Sequence, residues 1–173
     1  IKDLTFSRNG YCSYCQDFFN RYSFQENKNI EEIKLDKLNK FLKEAKAIGK
    51  GKRYDCIVGI SGGVDSAWTL VEVVKKGLRP LAVHMDNGWN SELAQSNISN
   101  LVSKLGVDLY THVIEWNEYK NLMESFFKSN VVDIEILYDN AFLALLYQQA
   151  HKYGLKHLVA GTNSSTEGMR MPK

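Results

Sequence analysis

The sequence predicts an α/β domain: a parallel, twisted sheet with helices on both faces, preceded by a short cysteine-bearing arm. Three observations carry this. Short, nearly continuous apolar runs recur along the chain, as strands buried on both faces require. Segments of helical period lie between them, at lengths that suit β-α-β crossovers. Polar turns follow the apolar runs, where such sheets gather ligands beyond the carboxyl ends of their strands. With 173 residues, 44% hydrophobic and 24% charged, the chain has ordinary globular proportions and enough length for a real core.

Residues 1–25 are dense in aromatics, and Asn9-Gly10 marks a turn just before Cys12-Ser13-Tyr14-Cys15. This stretch reads as a knuckle or arm outside the sheet, with an arm over 1–29 and the main domain over 30–173. Between 30 and 47, Ile30, Ile33, Leu38, Phe41, Leu42 and Ala45 recur near helical spacing among Lys and Glu, and Gly49 and Gly51 stop the helix. Asp55 to Ile60 is the first buried strand, Ser61 to Ser66 the loop after it, and Ala67 to Lys76 a helix closed by Gly77. Pro80 to Met85 is the second strand. Ser91 to Leu105 is a helix capped by Ser91 and ended by Gly106. Leu109 to Ile114 is the third strand and Asn117 to Lys128 a helix. Asp139 to Tyr153 is a long helix with Gly154 past its end, and His157 to Gly161 is the fourth strand. There is no internal repeat and no low-complexity segment. The polar loops Ser61–Ser66, Asp86–Asn90 and Thr162–Glu167 should lie together.

Composition narrows the partners. The 22 Lys+Arg balance 20 Asp+Glu, a net charge of +2, which argues against nucleic acid or an acidic membrane as the main partner. No apolar run reaches the roughly 20 residues of a membrane span. No apolar stretch follows Lys2, so the start is not a signal peptide. The chain begins without Met and reads as trimmed; the expected location is the cytoplasm. Three cysteines is an odd number for a secreted disulfide framework. In a reducing compartment, the C-x-x-C of Cys12 and Cys15 points to metal or redox chemistry. Cys56 falls in a buried strand and reads as core. His84, His112, His151 and His157 lack metal-ligand spacing and read as structural or surface residues.

The chemistry sits in Ser61-Gly62-Gly63-Val64-Asp65-Ser66, between a buried strand and a helix. Two glycines permit a tight backbone and leave no side chain to block a ligand, so their amides can face phosphate oxygens. The helix start adds partial positive charge. Ser61 and Ser66 supply short hydroxyls. Asp65 would repel a polyanion unless it caps the helix or binds Mg²⁺. The string is neither Walker A nor the Rossmann fingerprint. A glycine-rich packing turn is the alternative, and the full six-residue string in this context favours the phosphate grip. The next strand ends in His84-Met85-Asp86-Asn87-Gly88-Trp89, which reads either as core followed by a turn or as part of a ligand site.

SGGVDS resembles the signature of the ATP pyrophosphatases, or PP-loop enzymes, which include NAD, GMP and asparagine synthetases and tRNA-thiolating enzymes. The resemblance implies an adenine-nucleotide α-hydrolase-like fold. It also implies a shared mechanism, with ATP and Mg²⁺ bound. The loop holds the β,γ-pyrophosphate of ATP, a substrate oxygen attacks the α-phosphorus, and a nucleophile then displaces AMP. By the same resemblance Met85 and Asp86 meet adenine and ribose. Two further stretches, Leu4 to Cys15 and Leu158 to Pro172, resemble the N-acetyl sugar amidotransferases of bacterial surface-polysaccharide and nonulosonic-acid pathways. That implies conversion of the acetamido group of a nucleotide-linked N-acetyl sugar into an acetamidino group, with ammonia delivered by a separate glutaminase subunit. A homo-oligomer is left open.

Two departures stand out. The family opens with two C-x-x-C units and this chain has only the second, so Cys12 and Cys15 give two of the four ligands a Zn²⁺ site wants, and the knuckle is half present or empty. The chain also ends at Lys173, short of the usual family length. The implied roles are Ser61, Gly62, Gly63, Val64, Asp65 and Ser66 on pyrophosphate and Mg²⁺. Gly161, Thr162 and Asn163 lie at the nucleotide, and Glu167 near the reacting centre. Asp65, Ser66 and Glu167 are the candidate catalytic residues. Asp139-Asn140 reads as a helix cap or as a site-facing pair. The rival readings are a tRNA-thiolating enzyme, a nucleotide-sensing module without catalysis, and a zinc-knuckle interaction protein.

Overall fold

The computed structural model describes residues 4–22 and 29–162. Two compact units divide between Phe41 and Leu42.

In the first unit, Phe6 and Cys12 form an isolated antiparallel bridge across a turn in which the Gly10 amide donates to the Ser7 carbonyl at 3.0 Å. Gly10 takes the left-handed φ of 79° that this turn needs. A helix, α1 (Ser13–Tyr22), follows where the sequence reading expected only a knuckle. The aromatics that marked an arm lie at 14, 18 and 19, which is also a helical stripe. The Tyr11 and Phe19 rings meet edge-on at 5.0 Å. Helix α2 (Asn29–Gly49) is the amphipathic helix expected from residue 30.

The second unit holds β1 (Cys56–Gly59), α3 (Val64–Lys75), β2 (Pro80–Asp86), α4 (Glu92–Leu105), β3 (Asp108–Val113), α5 (Trp116–Lys128), α6 (Ile136–Lys152) and β4 (Leu158–Val159). The strands form one parallel sheet in the order β3-β2-β1-β4. The central strands are buried, whereas β3, at the edge and carrying Asp108, Thr111 and His112, is largely exposed. Ile57, Leu81, Val83 and Met85 join Leu145, Leu146 and Ala150 of α6 in one core cluster. Alternate strand residues face opposite ways. The intervening Val58, Ala82 and His84 are buried too, and α3 touches both β1 and β2. Helices therefore cover both faces of the sheet, and the two central strands read as continuous apolar runs for that reason.

A charge pair fixes the amino ends of these strands. Asp55, 3% exposed, precedes β1 and Arg79 precedes β2. The Arg79 guanidinium donates to Asp55 through Nη2 at 2.7 Å and Nε at 3.2 Å, and the Arg79 amide adds a bond of 2.8 Å. Gly49 lets the carboxylate in, since a Cβ there would lie 2.0 Å from Asp55 Oδ1. Burial alone would push the Asp55 carboxyl up, but the Arg79 bonds outweigh it and hold the group below its ordinary range. A depressed folded pKa stabilises at pH above the unfolded value of about 4, and that gain is lost as pH falls through the folded value. Arg79→Met strands a buried carboxylate, so we expect a loss of about 3–5 kcal/mol at pH 7. Urea denaturation should show the deficit shrinking on acidification, starting above the ordinary carboxylate range, because burial without Arg79 raises the variant's Asp55 and its protonation removes the unpaired charge.

Candidate functional site

The chain runs outward from β1 to β2 to β3 and then returns to place β4 on the other side of β1. The strand order thus reverses beside β1, and the carboxyl end of β1 is where a ligand crevice opens in such sheets. The Ile60 amide donates to Val83 O at 2.9 Å, keeping the chain in the sheet for one residue beyond β1. Only Ser61, Gly62 and Gly63 then form the loop, because α3 begins at Val64, three residues earlier than the sequence reading placed it. Val64, Asp65 and Ser66 are its first turn.

Each part of this turn has a neighbour that explains it. Gly62 has φ 82°, and a Cβ on it would come within 2.6 Å of the Ala94 carbonyl oxygen in α4. Asn97 of the same helix donates to Gly62 O at 3.3 Å. Gly161, just past β4, lies so close that an added Cβ would sit 2.6 Å from Asp65 C and 2.7 Å from Ser66 N. Two neighbouring elements therefore press glycine or small-residue backbone against this loop, one from each side in sequence. The Ser66 hydroxyl is buried in the turn: it donates to Gly63 O at 3.1 Å and accepts from the Ser61 amide at 3.2 Å. Ser66 thus shapes the loop from within, while Ser61, Gly63 and Asp65 remain exposed.

The starts of α3 and α6 lack the side-chain cap bond that α4 and α5 carry, and of the two only α3 opens from a glycine loop. Helix α4 is capped by Ser91, which accepts from Ala94 N, and α5 by Glu115, which accepts from Asn117 N and Glu118 N. Helix α3 has Gly63 in the cap position and no side-chain cap bond. Its first backbone bond runs from Ala67 N to Gly63 O at 3.1 Å. The Val64, Asp65 and Ser66 amides have no preceding helical turn to bond, and the macrodipole makes that end attractive to an anion. Among the described residues nothing bonds the Asp65 carboxylate, so it does not cap the helix. The donor set therefore fits a phosphate chain on the amides, with a divalent cation on the carboxylate.

The second loop is tied to the first. Buried His84 bonds Ile60 O through Nδ1 at 3.1 Å and Asn90 Nδ2 through Nε2 at 3.2 Å. A carbonyl on one side and an amide NH₂ on the other assign the proton to Nδ1. Asp86 Oδ1 accepts from Gly88 N at 2.9 Å and Asn90 Nδ2 at 3.1 Å, closing an Asx turn. Met85 is 1% exposed, its carbonyl accepts from the Tyr138 hydroxyl at 3.2 Å, and its side chain lines a cavity of about 540 Å³ with Tyr119, Leu122 and Leu145. The sequence reading treated His84 as merely structural or surface and passed over Asn90 and Asn97. His84, a polar residue inside the apolar run of β2, was the available signal; Asn97, in the middle of α4, gave none.

Gly161 and Thr162 follow β4 beside the loop, while Asn163 and Glu167 lie outside the described residues. Asp139-Asn140 does not open α6. The cap position is Glu135, and Asn140 Nδ2 donates to Ile136 O at 2.7 Å within the helix. In the first unit, Cys12 and Cys15 are free thiols with sulfurs 3.4 Å apart. The Cys15 amide and thiol hold the Cys12 thiol below its ordinary range. Burial pushes Cys56 up to about 12 and keeps it a core residue. No group of three or more His, Cys, Asp or Glu among the described residues is arranged to hold a metal, so the cysteine pair stays two ligands short of a Zn²⁺ site. No described helix is long and apolar enough to cross a membrane.

A family model described as NAD synthase matches residues 34–170. No curated protein matches the chain. Among solved structures, an NMN synthetase from Francisella tularensis aligns at 21% identity and TM-score 0.53, over 73% of this chain and 53% of its own. An NH3-dependent NAD synthetase from Campylobacter jejuni in complex with the nitrate ion aligns at 18% and 0.54, over 73% of this chain and 56% of its own. A glutamine-dependent NAD+ synthetase from Acinetobacter baumannii in complex with ADP aligns at 20% and 0.54, over 72% of this chain and 25% of its own. These identities speak to the fold. The chain spans about half the length of the first two structures and a quarter of the third.

Proposed function

Because the chain belongs to the NAD synthase family, we propose that it is an ATP-dependent adenylating amidotransferase whose pyrophosphate site is the turn Ser61–Ser66. The observation that carries this reading is the uncapped start of α3 at the switch point, faced by a glycine-bare loop. The Val64, Asp65 and Ser66 amides receive the diphosphate of ATP, which leaves as pyrophosphate, beside the Gly63 amide that donates to Ser61 Oγ at 3.4 Å. Ser66 and Asn97 hold the turn in shape through their bonds to Gly63 O and Gly62 O. Asp65 would hold Mg²⁺, which supplies charge neutralisation on the departing phosphates. The loop after β2, with Asp86, borders the adenosine side. Gly161 and Thr162, which follow β4, border the nucleotide, and Asn163 and Glu167 are further candidates for contacting it.

An amide oxygen is a poor leaving group until it carries a phosphoryl group. The acceptor's carbonyl oxygen attacks the α-phosphorus and the bond to pyrophosphate breaks. Ammonia then adds to the activated carbon, the bond from that carbon to the oxygen carrying AMP breaks, and AMP departs. The acceptor we propose is a nucleotide-linked N-acetyl sugar, which gains an acetamidino group. The support is the likeness of Leu4–Cys15 and Leu158–Pro172 to the sugar amidotransferases. Ammonia comes from a separate glutaminase. The family match favours a second reading, amidation of a pyridine-nucleotide carboxylate, by the same adenylation.

A pyrophosphate-release assay with ATP, Mg²⁺ and ammonium separates them. UDP- and CMP-linked N-acetyl sugars should stimulate release and accumulate AMP. Stimulation by a pyridine-nucleotide carboxylate alone would transfer the assignment to the second reading. Stimulation by tRNA with a sulfur donor would transfer it to a thiolating enzyme. Nucleotide binding with no pyrophosphate release under any acceptor would mark a sensing module.

A further inference from the structure

Past the carboxyl end of β2 lies a second cavity, of about 400 Å³, lined by Asn87, Trp89, Asn90, Tyr119, Glu135 and Tyr138, with Met123 completing the wall. The size suits one six-membered ring with its substituents. We propose that this cavity is the acceptor subsite, and that it takes the neutral pyranose ring of an N-acetylated sugar, stacked on the indole of Trp89. The proposal deepens the amidotransferase reading and rests on it for the identity of the acceptor.

Four observations support it. Trp89 is 66% exposed, a large apolar surface to leave in water, and its ring is steadied edge-on by Trp116 at 5.7 Å. Its backbone is fixed as well: Trp89 N donates to Asn87 Oδ1 at 3.1 Å, so the aromatic platform is preorganised. The polar lining is two carboxamides, two phenols and one carboxylate; Asn90 Nδ2 already serves His84 and Asp86 and the Tyr138 hydroxyl already donates to Met85 O, so what they offer hydroxyl and amide groups is chiefly acceptor oxygens. Among the described residues no Lys or Arg lines the cavity, and Glu135 opposes an anion, so this lining disfavours a carboxylate-bearing ring and admits a neutral amide. Finally, two hydrogen bonds join the cavity to the residue before the proposed pyrophosphate turn. Asn90 bonds His84, and His84 bonds Ile60 O, the residue before Ser61. A ring held at Trp89 therefore sits on the loop that this relay couples to the adenylation site.

The test uses the full chain with UDP-N-acetylglucosamine as probe and a non-hydrolysable ATP analogue present. In ¹H–¹⁵N spectra the Trp89 indole signal, identified as the one lost in Trp89→Phe, should shift on adding the sugar. In the pyrophosphate assay Trp89→Ala should raise KM for the sugar about tenfold, the equivalent of one lost stacking contact, with KM for ATP unchanged. Trp89→Phe should restore most of the affinity. An indole signal that ignores the sugar, or a Trp89→Ala KM equal to wild type, overturns the subsite. A shifted indole without any pyrophosphate release keeps the subsite and removes the adenylation reading instead.

Discussion

Asp65→Ala should lower pyrophosphate release by about three orders of magnitude, the scale seen when one preorganised charge-handling group is removed from an active site. The same variant should keep its fold. Asp65 is exposed in the first turn of α3, and among the described residues its carboxylate bonds nothing. Its structural contribution is then limited to a favourable charge near a helix N-terminus, about 0.3–1 kcal/mol. Few roles other than holding a cation explain a carboxylate beside amides that welcome phosphate, since bare like charges repel. Asp65→Asn keeps the shape and loses the charge, so it should be nearly as inactive. Release measured against Mg²⁺ concentration checks the assignment: a wild-type rate in either variant removes Asp65 from the site.

Gly161→Ala should cost about a hundredfold in turnover, because a displacement of about 1 Å at a positioning element has that effect. The added Cβ would lie 2.6–2.7 Å from Asp65 C, Asp65 O and Ser66 N, all of them backbone atoms that no side-chain rotation can move aside. The strain must move either the α3 start or the chain after β4, and both border the proposed nucleotide site. We expect a stability loss of about 1–3 kcal/mol from the overpacking itself. Calorimetric titration with ATP, run well below the melting temperature, should therefore show weakened binding in protein that is still folded. Unchanged affinity would mean that the strand after β1 in the sheet plays no part in the site.

The fold was legible because β1 and β2 are buried on both faces, so their runs are almost wholly apolar, broken before the end of β2 only by buried His84. Ser91 and Gly106 were readable ends of α4, since one accepts from Ala94 N and the other takes the left-handed φ of 63°. The start of α3 was harder to place. Its first turn is Val64-Asp65-Ser66, and Gly63 at the cap position has no side chain to mark the start. Helix α1 gives an ambiguous signal, because aromatic density suits an irregular arm as well as a helix. Glu135, at the cap position of α6 without a capping bond, gave no local signal, so Asp139 stood out in its place. The ties between loops, His84 to Ile60 and Asn97 to Gly62, join residues distant in sequence, and only the folded sheet brings them together.

The central claim is that the α3 start binds the leaving diphosphate. Titrating the ¹⁵N-labelled chain with a non-hydrolysable ATP analogue and Mg²⁺ tests it most directly. The account predicts that the Gly63, Val64, Asp65 and Ser66 amides show the largest shifts, and that inorganic pyrophosphate alone reproduces them. Shifts confined to the cavity of about 540 Å³ around Met85, Tyr119 and Leu145, with those four amides unmoved, would contradict it.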